Sequence, residues 1–182
     1  HEHGTAFDRR GHKGRAVGSP PPSERALVGA LAPYERLIEI GVGRRPEVAR
    51  ALADRGRAVV AVDVDVSEAA RDAATRDAAT STEAAGEGSL RVAAADVTAL
   101  ASGDDDRAIR DALGPDAVGD GVEGEVDAVY ARNLPAELQR PTVALAERLD
   151  AACLFTTLGF EEPVVDVRGR STESGTVVYV AR

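Results

Sequence analysis

The sequence of 182 residues lacks the features that mark several large classes of protein. Cys153 is the only cysteine, which excludes a disulfide framework and a zinc site built from cysteines. No run of about 18 apolar residues occurs, so we expect no transmembrane helix and no membrane partner. The first residues do not form a charged and then apolar leader, which argues against secretion and for a cytoplasmic location. No spacing of acidic residues or histidines predicts a metal site.

Lysine is nearly absent as well, and the overall charge is acidic. Lys13 is the only lysine among 22 basic residues, which stand against 31 acidic residues for a net charge of −9. This balance argues against binding nucleic acid through bulk positive charge. The composition is similar to that of proteins from salt-loving archaea, in which acidic side chains hold water and salt screens their repulsion. A GC-rich genome, which favours alanine, arginine, aspartate and glycine, explains the arginine bias equally well.

The chain divides into a tail and one domain. Residues 1–22 show almost no apolar periodicity, so they cannot bury enough surface to offset the entropy of ordering, and we expect a flexible tail. Residues 23–182 predict a single domain. Within it, residues 99–124 carry three consecutive aspartates and five glycines, which predicts a mobile acidic insertion.

Strand-length apolar runs alternate with helical patterns along the domain. This alternation predicts an α/β fold with a doubly wound, mostly parallel Rossmann-like sheet and a C-terminal antiparallel hairpin. The predicted helices cover residues 23–32 (capped by Ser23), 47–55 (with Pro46 as first helical residue), 67–85 and 135–150 (interrupted at Pro141). The predicted strands cover residues 36–42, 58–63, 90–97, 126–130 and 152–158, and the hairpin pairs 164–167 with 176–180.

The segment that leads from the first strand into its helix reads Glu39-Ile40-Gly41-Val42-Gly43-Arg44-Arg45-Pro46. Gly41 and Gly43 permit a tight turn and let the backbone approach a ligand, so we predict a ligand site here that also includes Glu39. A dinucleotide fingerprint would have a third glycine where Pro46 stands. The pattern is therefore incomplete, and a purely structural turn remains an alternative.

Arg44 and Arg45 put two cations at the N-terminus of a predicted helix, where they oppose the helix dipole. An anion bound there would relieve the repulsion. The carboxylate of S-adenosylmethionine and a nucleotide phosphate both fit this requirement. The alternative is that both side chains turn away into solvent.

Acidic residues end two of the predicted strands. Asp63 follows Gly41 by 22 residues, the spacing of an acid that accepts hydrogen bonds from ribose hydroxyls, and its charge disfavours the 2′-phosphate of NADP. A helix N-cap is the alternative for Asp63, and Asp65 is a neighbouring candidate. Asp96 ends the third strand, where it could accept a hydrogen bond from an adenine amino group or cap the following loop.

Asn133-Leu134-Pro135 follows the fourth strand and resembles a motif of amino-directed methyltransferases. In those enzymes, the Asn or Asp side chain orients a substrate amine, which makes Asn133 the candidate catalytic residue. The aromatic residue that continues the motif is replaced by Ala136, a difference that weakens a base-methylating interpretation. The alternative is that Asn133 caps a helix whose first turn contains Pro135.

Together with the segment Leu158 to Glu161, these motifs resemble an archaeal family, uncharacterised protein family 0146, over about residues 24–182 apart from the insertion at 99–124. The family has a small Rossmann-like, methyltransferase-like core. In the leading hypothesis, Gly41, Gly43 and Arg44 face the methionine end of S-adenosylmethionine, Asp63 its ribose and Asp96 its adenine; the resemblance itself implies only a pocket for this ligand. It implies no established methyl acceptor. Two other hypotheses stay open: binding of NAD or another adenine nucleotide, and a non-catalytic sensor or interaction module.

Overall fold

The computed structural model describes residues 21–43, 46–65, 67–80, 88–102, 126–159, 161–173 and 175–182. Residues 1–20 of the expected tail and residues 103–124 of the expected insertion lie outside these ranges. The first four residues of that expected insertion, 99–102, belong to a helix.

The described residues form one seven-stranded sheet. Its strands are β1 Arg36–Ile40, β2 Ala58–Asp63, β3 Ser89–Ala94, β4 Ala128–Ala131, β5 Ala152–Phe155, β6 Gly169–Glu173 and β7 Thr176–Val180. They lie in the order β3-β2-β1-β4-β5-β7-β6. The first five are parallel, and β7 runs antiparallel to both β5 and β6. The predicted fold class, including the C-terminal antiparallel hairpin, is confirmed.

Helices cover both faces of the sheet. They are α1 Pro22–Leu31, α2 Glu47–Asp54, α3 Glu68–Thr80, α4 Val97–Ser102 and α5 Ala136–Arg148. The core beneath α1, α2 and α3 includes the buried Leu27, Leu52 and Tyr130. The core beneath α4 and α5 includes Leu145 and Phe155. No helix in the described ranges has the length and apolar character needed to cross a membrane.

The order of the strands reverses between β1 and β4. From β1 the chain moves to β2 and β3 on one side, whereas β4 lies on the other side of β1. The connections that leave the carboxyl ends of β1 and β4 therefore diverge. Such a divergence opens a crevice in which α/β proteins bind ligands.

Several predicted element boundaries were wrong. The first helix begins at Pro22 without a side-chain cap, because a proline at the first helical position already has the helical φ angle and has no N–H to satisfy. Pro46 precedes α2 as its N-cap and is not its first residue. The third strand ends at Ala94, since Asp96 begins the turn into α4. Pro141 does not interrupt α5, because the helix is held by a buried face on both sides of the proline.

The hairpin also differs from its prediction in position. Its first strand is β6, residues 169–173, rather than the apolar segment 164–167. The strand β6 lies at the edge of the sheet, and its residues 170–172 are exposed. An edge strand that faces water needs no apolar alternation, so its polar sequence gave no strand signal.

Candidate functional site

The turn after β1 is fixed by side chains from β2 and α3. Gly41 and Gly43 have φ angles of +71° and +53°, in the left-handed region that glycine adopts without strain. The backbone N–H of Gly43 donates to Asp63 Oδ2 over 2.8 Å. The hydroxyl of Ser67 donates to the carbonyl of Gly43 over 2.7 Å. The turn is therefore held at both its amide and its carbonyl.

Ser67 was not among the predicted site residues. Its Oγ also accepts a hydrogen bond from the N–H of Ala70 over 3.2 Å, which makes it the N-cap of α3. The sequence signal was a serine directly before a helical pattern. That signal indicates a cap but not the second bond to the glycine turn.

None of the described residues fills the space above Gly41. Gly41 is exposed, and a Cβ atom built on it would meet no atom of the described residues within 4 Å. Its N–H donates to the carbonyl of Val62 over 2.8 Å, so its backbone is fixed to the end of β2. A ligand could therefore approach the backbone closely at this position.

Asp63 is half-buried at the end of β2. Asp63 Oδ2 accepts the bond from Gly43, and Oδ1 accepts a longer bond of 3.3 Å from the N–H of Asp65. The helix-cap alternative for Asp63 is wrong, because Ser67 caps the next helix. Each carboxylate oxygen can accept two hydrogen bonds, so Asp63 retains acceptor capacity beyond these two bonds.

Asp96 follows the neighbouring strand. Asp63 pairs in register with Ala94, the last residue of β3. Asp96 therefore follows the residue opposite Asp63 by two positions. Its Oδ1 accepts a bond of 2.9 Å from the N–H of Thr98, and the side chain is exposed. Asp96 therefore caps the turn into α4, which is the alternative role that the sequence analysis gave it. The second oxygen of Asp96 has no hydrogen bond to a described residue.

Arg44 and Arg45 lie outside the described residues. Their predicted contact with an anionic ligand group therefore stays a prediction.

Glu39 is buried beneath the turn, with 3% of its surface exposed. It pairs in register with Tyr130 of β4, whose hydroxyl interacts with the Glu39 carboxyl, and among the described residues neither Glu39 Oε2 nor that hydroxyl has a partner that meets full hydrogen-bond geometry. Burial raises the pKa of Glu39 to about 8, although the nearby Arg132 guanidinium acts to lower it. Burial also raises the pKa of Tyr130. The structure therefore holds Glu39 below the crevice rather than at its surface.

Arg132 is paired with a different carboxylate. Its Nη1 lies 2.8 Å from Glu24 Oε1 of α1, and the two side chains are only 12% and 9% exposed. The sequence analysis did not identify this ion pair, because its partners are far apart in the chain. The pair fixes the start of α1 against the segment that follows β4.

Asn133 lies at the carboxyl end of β4 in a left-handed conformation, with φ of +53°. Its backbone N–H donates to Thr156 Oγ1 over 2.9 Å, and the N–H of Leu134 donates to the carbonyl of Thr156 over 2.8 Å. The capping alternative for Asn133 is wrong, since Pro135 is the N-cap of α5. The exposed side-chain amide has no hydrogen bond to a described residue.

A groove of about 560 Å³ opens beside Asn133. The C-terminal hairpin forms its other side, where the Arg170 guanidinium lies 5.1 Å from the centre of the Tyr179 ring and 3.1 Å from Glu162. Its lining is mainly polar: Ser23, Asn133, Thr156, Thr157, Gly159, Glu162, Arg170, Gly175, Thr176, Val177 and Tyr179. The groove therefore suits a polar molecule.

Gln139 connects the segments that carry Asn133 and Glu162, and it was not predicted to do so. It is fully buried, its Nε2 donates to the carbonyl of Leu134 over 3.3 Å, and its Oε1 accepts from the N–H of Val164 over 2.7 Å. The amide thereby connects the segment after β4 to the segment after β5. A glutamine within an amphipathic helix gave no sign of this bridge.

Solved structures of methyltransferases share this fold. An RNA methyltransferase from Salinibacter ruber, solved with S-adenosyl-L-homocysteine, has a TM-score of 0.52 at 14% identity, over 91% of this chain and 94% of that one. Magnesium protoporphyrin IX methyltransferase from Synechocystis, solved with bound SAM, has a TM-score of 0.51 at 12% identity, over 88% and 78%. The ribosomal protein L11 methylase from Lactobacillus delbrueckii has a TM-score of 0.51 at 15% identity, over 87% and 75%. The fold is therefore methyltransferase-like.

The family is shown by closer sequence relatives. Two UPF0146 proteins from strains of the archaeon Halobacterium salinarum are each 38% identical over 162 residues, which cover 89% of this chain and 96% of theirs. A family model matches residues 25–85 and 74–182. The resemblance inferred from the motifs is confirmed: the chain belongs to the Uncharacterised protein family (UPF0146).

Proposed function

We propose that this protein binds S-adenosylmethionine in the crevice beyond β1, β2 and β4 and transfers its methyl group to an acceptor in the adjoining groove. The observation that carries the proposal is the hydrogen bond between Asp63 and the N–H of Gly43, next to the open space above Gly41. This bond links two features at the reversal of strand order. One is a carboxylate that can accept hydrogen bonds from ribose hydroxyls, and the other is a glycine turn that a ligand can approach.

The residues around the crevice fit the parts of this ligand. The oxygens of Asp63 have acceptor capacity for the ribose hydroxyls, and the second oxygen of Asp96 can accept from the adenine amino group. Arg44 and Arg45 are the sequence's candidates for the methionine carboxylate. Two of the solved structures that share the fold were determined with SAM or S-adenosyl-L-homocysteine, which supports the choice of ligand.

Asn133 is the candidate residue for orienting the acceptor. Its amide, which bonds to none of the described residues, lies at the groove, on a backbone that Thr156 fixes through two hydrogen bonds. The amide oxygen can accept a hydrogen bond from an N–H or O–H of the acceptor and so direct its lone pair. When bound, S-adenosylmethionine supplies an electrophilic methyl group, and the rate then depends mainly on how well the acceptor is aligned with it.

Isothermal titration calorimetry tests the ligand with S-adenosylmethionine, S-adenosylhomocysteine, NAD and ATP, each at high and low salt. We expect the first two to bind, and Asp63→Asn to weaken them by about 10- to 100-fold, because a charged hydrogen-bond acceptor is lost. The asparagine can still accept from Gly43, so the turn is kept. Asp127→Asn is the matched control, since Asp127 accepts from the N–H groups of Glu35 and Arg36 at the opposite edge of the sheet.

The other results would favour the competing hypotheses. Binding of NAD or ATP in place of S-adenosylmethionine would replace the proposal with a nucleotide-binding function. A folded protein that binds none of the four would favour a non-catalytic module. Equal loss of binding in Asp63→Asn and Asp127→Asn would mean that Asp63 has no specific role.

A further inference from the structure

The face of β1 that carries Glu39 leads directly to the proposed ligand site. Side chains alternate between the two faces of a strand, so position 41 follows Glu39 on the same face, about 7 Å further along. At Gly41 that face is open, because the glycine has no side chain and no described atom lies above it. A ligand group above Gly41 therefore lies one strand repeat from the buried carboxyl.

That carboxyl has no committed cation. Among the described residues, neither Glu39 Oε2 nor the Tyr130 hydroxyl beside it has a partner that meets full hydrogen-bond geometry. Arg132, the positive group that acts on Glu39, forms its ion pair with Glu24 of α1 instead.

The other charged groups that act on Glu39 are acidic. They are Glu47 in the first turn of α2 and Asp63 at the end of β2, and both disfavour a negative charge on Glu39. Burial has the largest effect, and it raises the pKa of Glu39 to about 8. At pH 7 the carboxyl of the free protein is therefore mostly protonated.

We propose that Glu39 distinguishes cationic from uncharged ligands, by losing its proton when a positively charged ligand group occupies the space above Gly41. This inference rests on the proposed function and specifies how its site recognises charge. No covalent bond changes: the carboxyl releases one proton to the buffer, and the resulting carboxylate faces the ligand cation. An uncharged ligand gives no reason for the proton to leave.

Two measurable consequences follow from this linkage. Binding of S-adenosylmethionine at pH 7 should release between about half a proton and one proton, and its affinity should rise on the order of fivefold per pH unit between pH 6 and 8. Binding of 5′-methylthioadenosine, which has the adenosine but no charged group, should release none. The preference for the cationic ligand should therefore increase with pH.

Calorimetry in two buffers of different ionisation enthalpy measures the released protons directly. The ligand's own α-amino group titrates at about pH 8, so every measurement is compared with the variant Glu39→Gln, which keeps the ligand's contribution and removes that of the protein. Glu47→Gln is the matched control, because it removes a nearby carboxyl that is exposed. We expect proton release in the wild type and in Glu47→Gln, and almost none in Glu39→Gln.

The remaining outcomes separate this inference from the proposed function. Tight binding of S-adenosylmethionine with equal proton release in wild type and Glu39→Gln overturns the role of Glu39 and leaves the proposed function intact. Failure of S-adenosylmethionine to bind the folded wild type overturns both. If Glu39→Gln does not fold, the wild type alone decides, since a ratio of the two ligand affinities that does not change from pH 6 to 8 refutes the linkage.

Discussion

Replacing Glu39 with glutamine keeps the size of a buried side chain but removes its titration. In the folded protein Glu39 is 3% exposed, and burial raises its pKa from 4.5 to about 8. The unfolded chain holds the same carboxyl in water, where it ionises near the ordinary value. Between these two pH values the folded state keeps a proton that the unfolded state releases.

The sign and the size of the effect follow from proton linkage. Because the folded state binds more protons in this range, the free energy of unfolding must fall as the pH rises. The fall is about 1.4 kcal/mol for each pH unit well inside the range, and about 3 to 4 kcal/mol between pH 5 and pH 8. Other carboxyl groups add their own slopes, but those are common to the wild type and the variant. Glu39→Gln should therefore gain stability relative to the wild type by this amount.

Urea unfolding at constant high salt, followed by circular dichroism from pH 5 to pH 9, measures the difference. The sequence has no tryptophan, so circular dichroism is preferable to fluorescence. Glu47→Gln, which loses an exposed carboxyl, should follow the wild-type slope. Parallel curves for wild type and Glu39→Gln between pH 5 and 8 would show that the folded protein does not hold Glu39 in its neutral form.

Three further substitutions test the packing of the fold, each by urea unfolding. Gly88→Ala should destabilise the fold by about 3 kcal/mol, because the added Cβ would lie 2.0 Å from the carbonyl oxygen of Ala53; a stable variant would contradict this close approach. Gln139→Leu should cost about 1–3 kcal/mol, since two backbone groups lose their buried partner, and unchanged stability would refute the bridge. Arg132→Met should lower the free energy of unfolding by about 3–5 kcal/mol, because it leaves Glu24 unpaired. The double variant Arg132→Met with Glu24→Leu should recover most of that loss, and additive losses would exclude coupling between the two residues.

The sequence by itself determined the parallel core and the position of the crevice. Gly41 and Gly43 indicated a tight turn, and Asp63 was expected at the end of the next strand, as observed. These features depend on local patterns: the length of apolar runs and the backbone freedom of glycine. The same local patterns predicted the wrong position for β6, because an exposed edge strand needs no apolar alternation.

Only the tertiary structure decided which polar groups meet. Three such pairs join distant parts of the chain. Glu39 pairs in register with Tyr130, Arg132 forms an ion pair with Glu24, and Gln139 accepts a hydrogen bond from Val164. A glutamate within an apolar strand signals a buried carboxyl, but the sequence could not show that this carboxyl is held neutral at the level of Tyr130. Whether a carboxyl is paired or isolated depends on strand register and helix packing, which short-range propensities do not specify. The chemistry of the site therefore depends on contacts that form only when the sheet is complete.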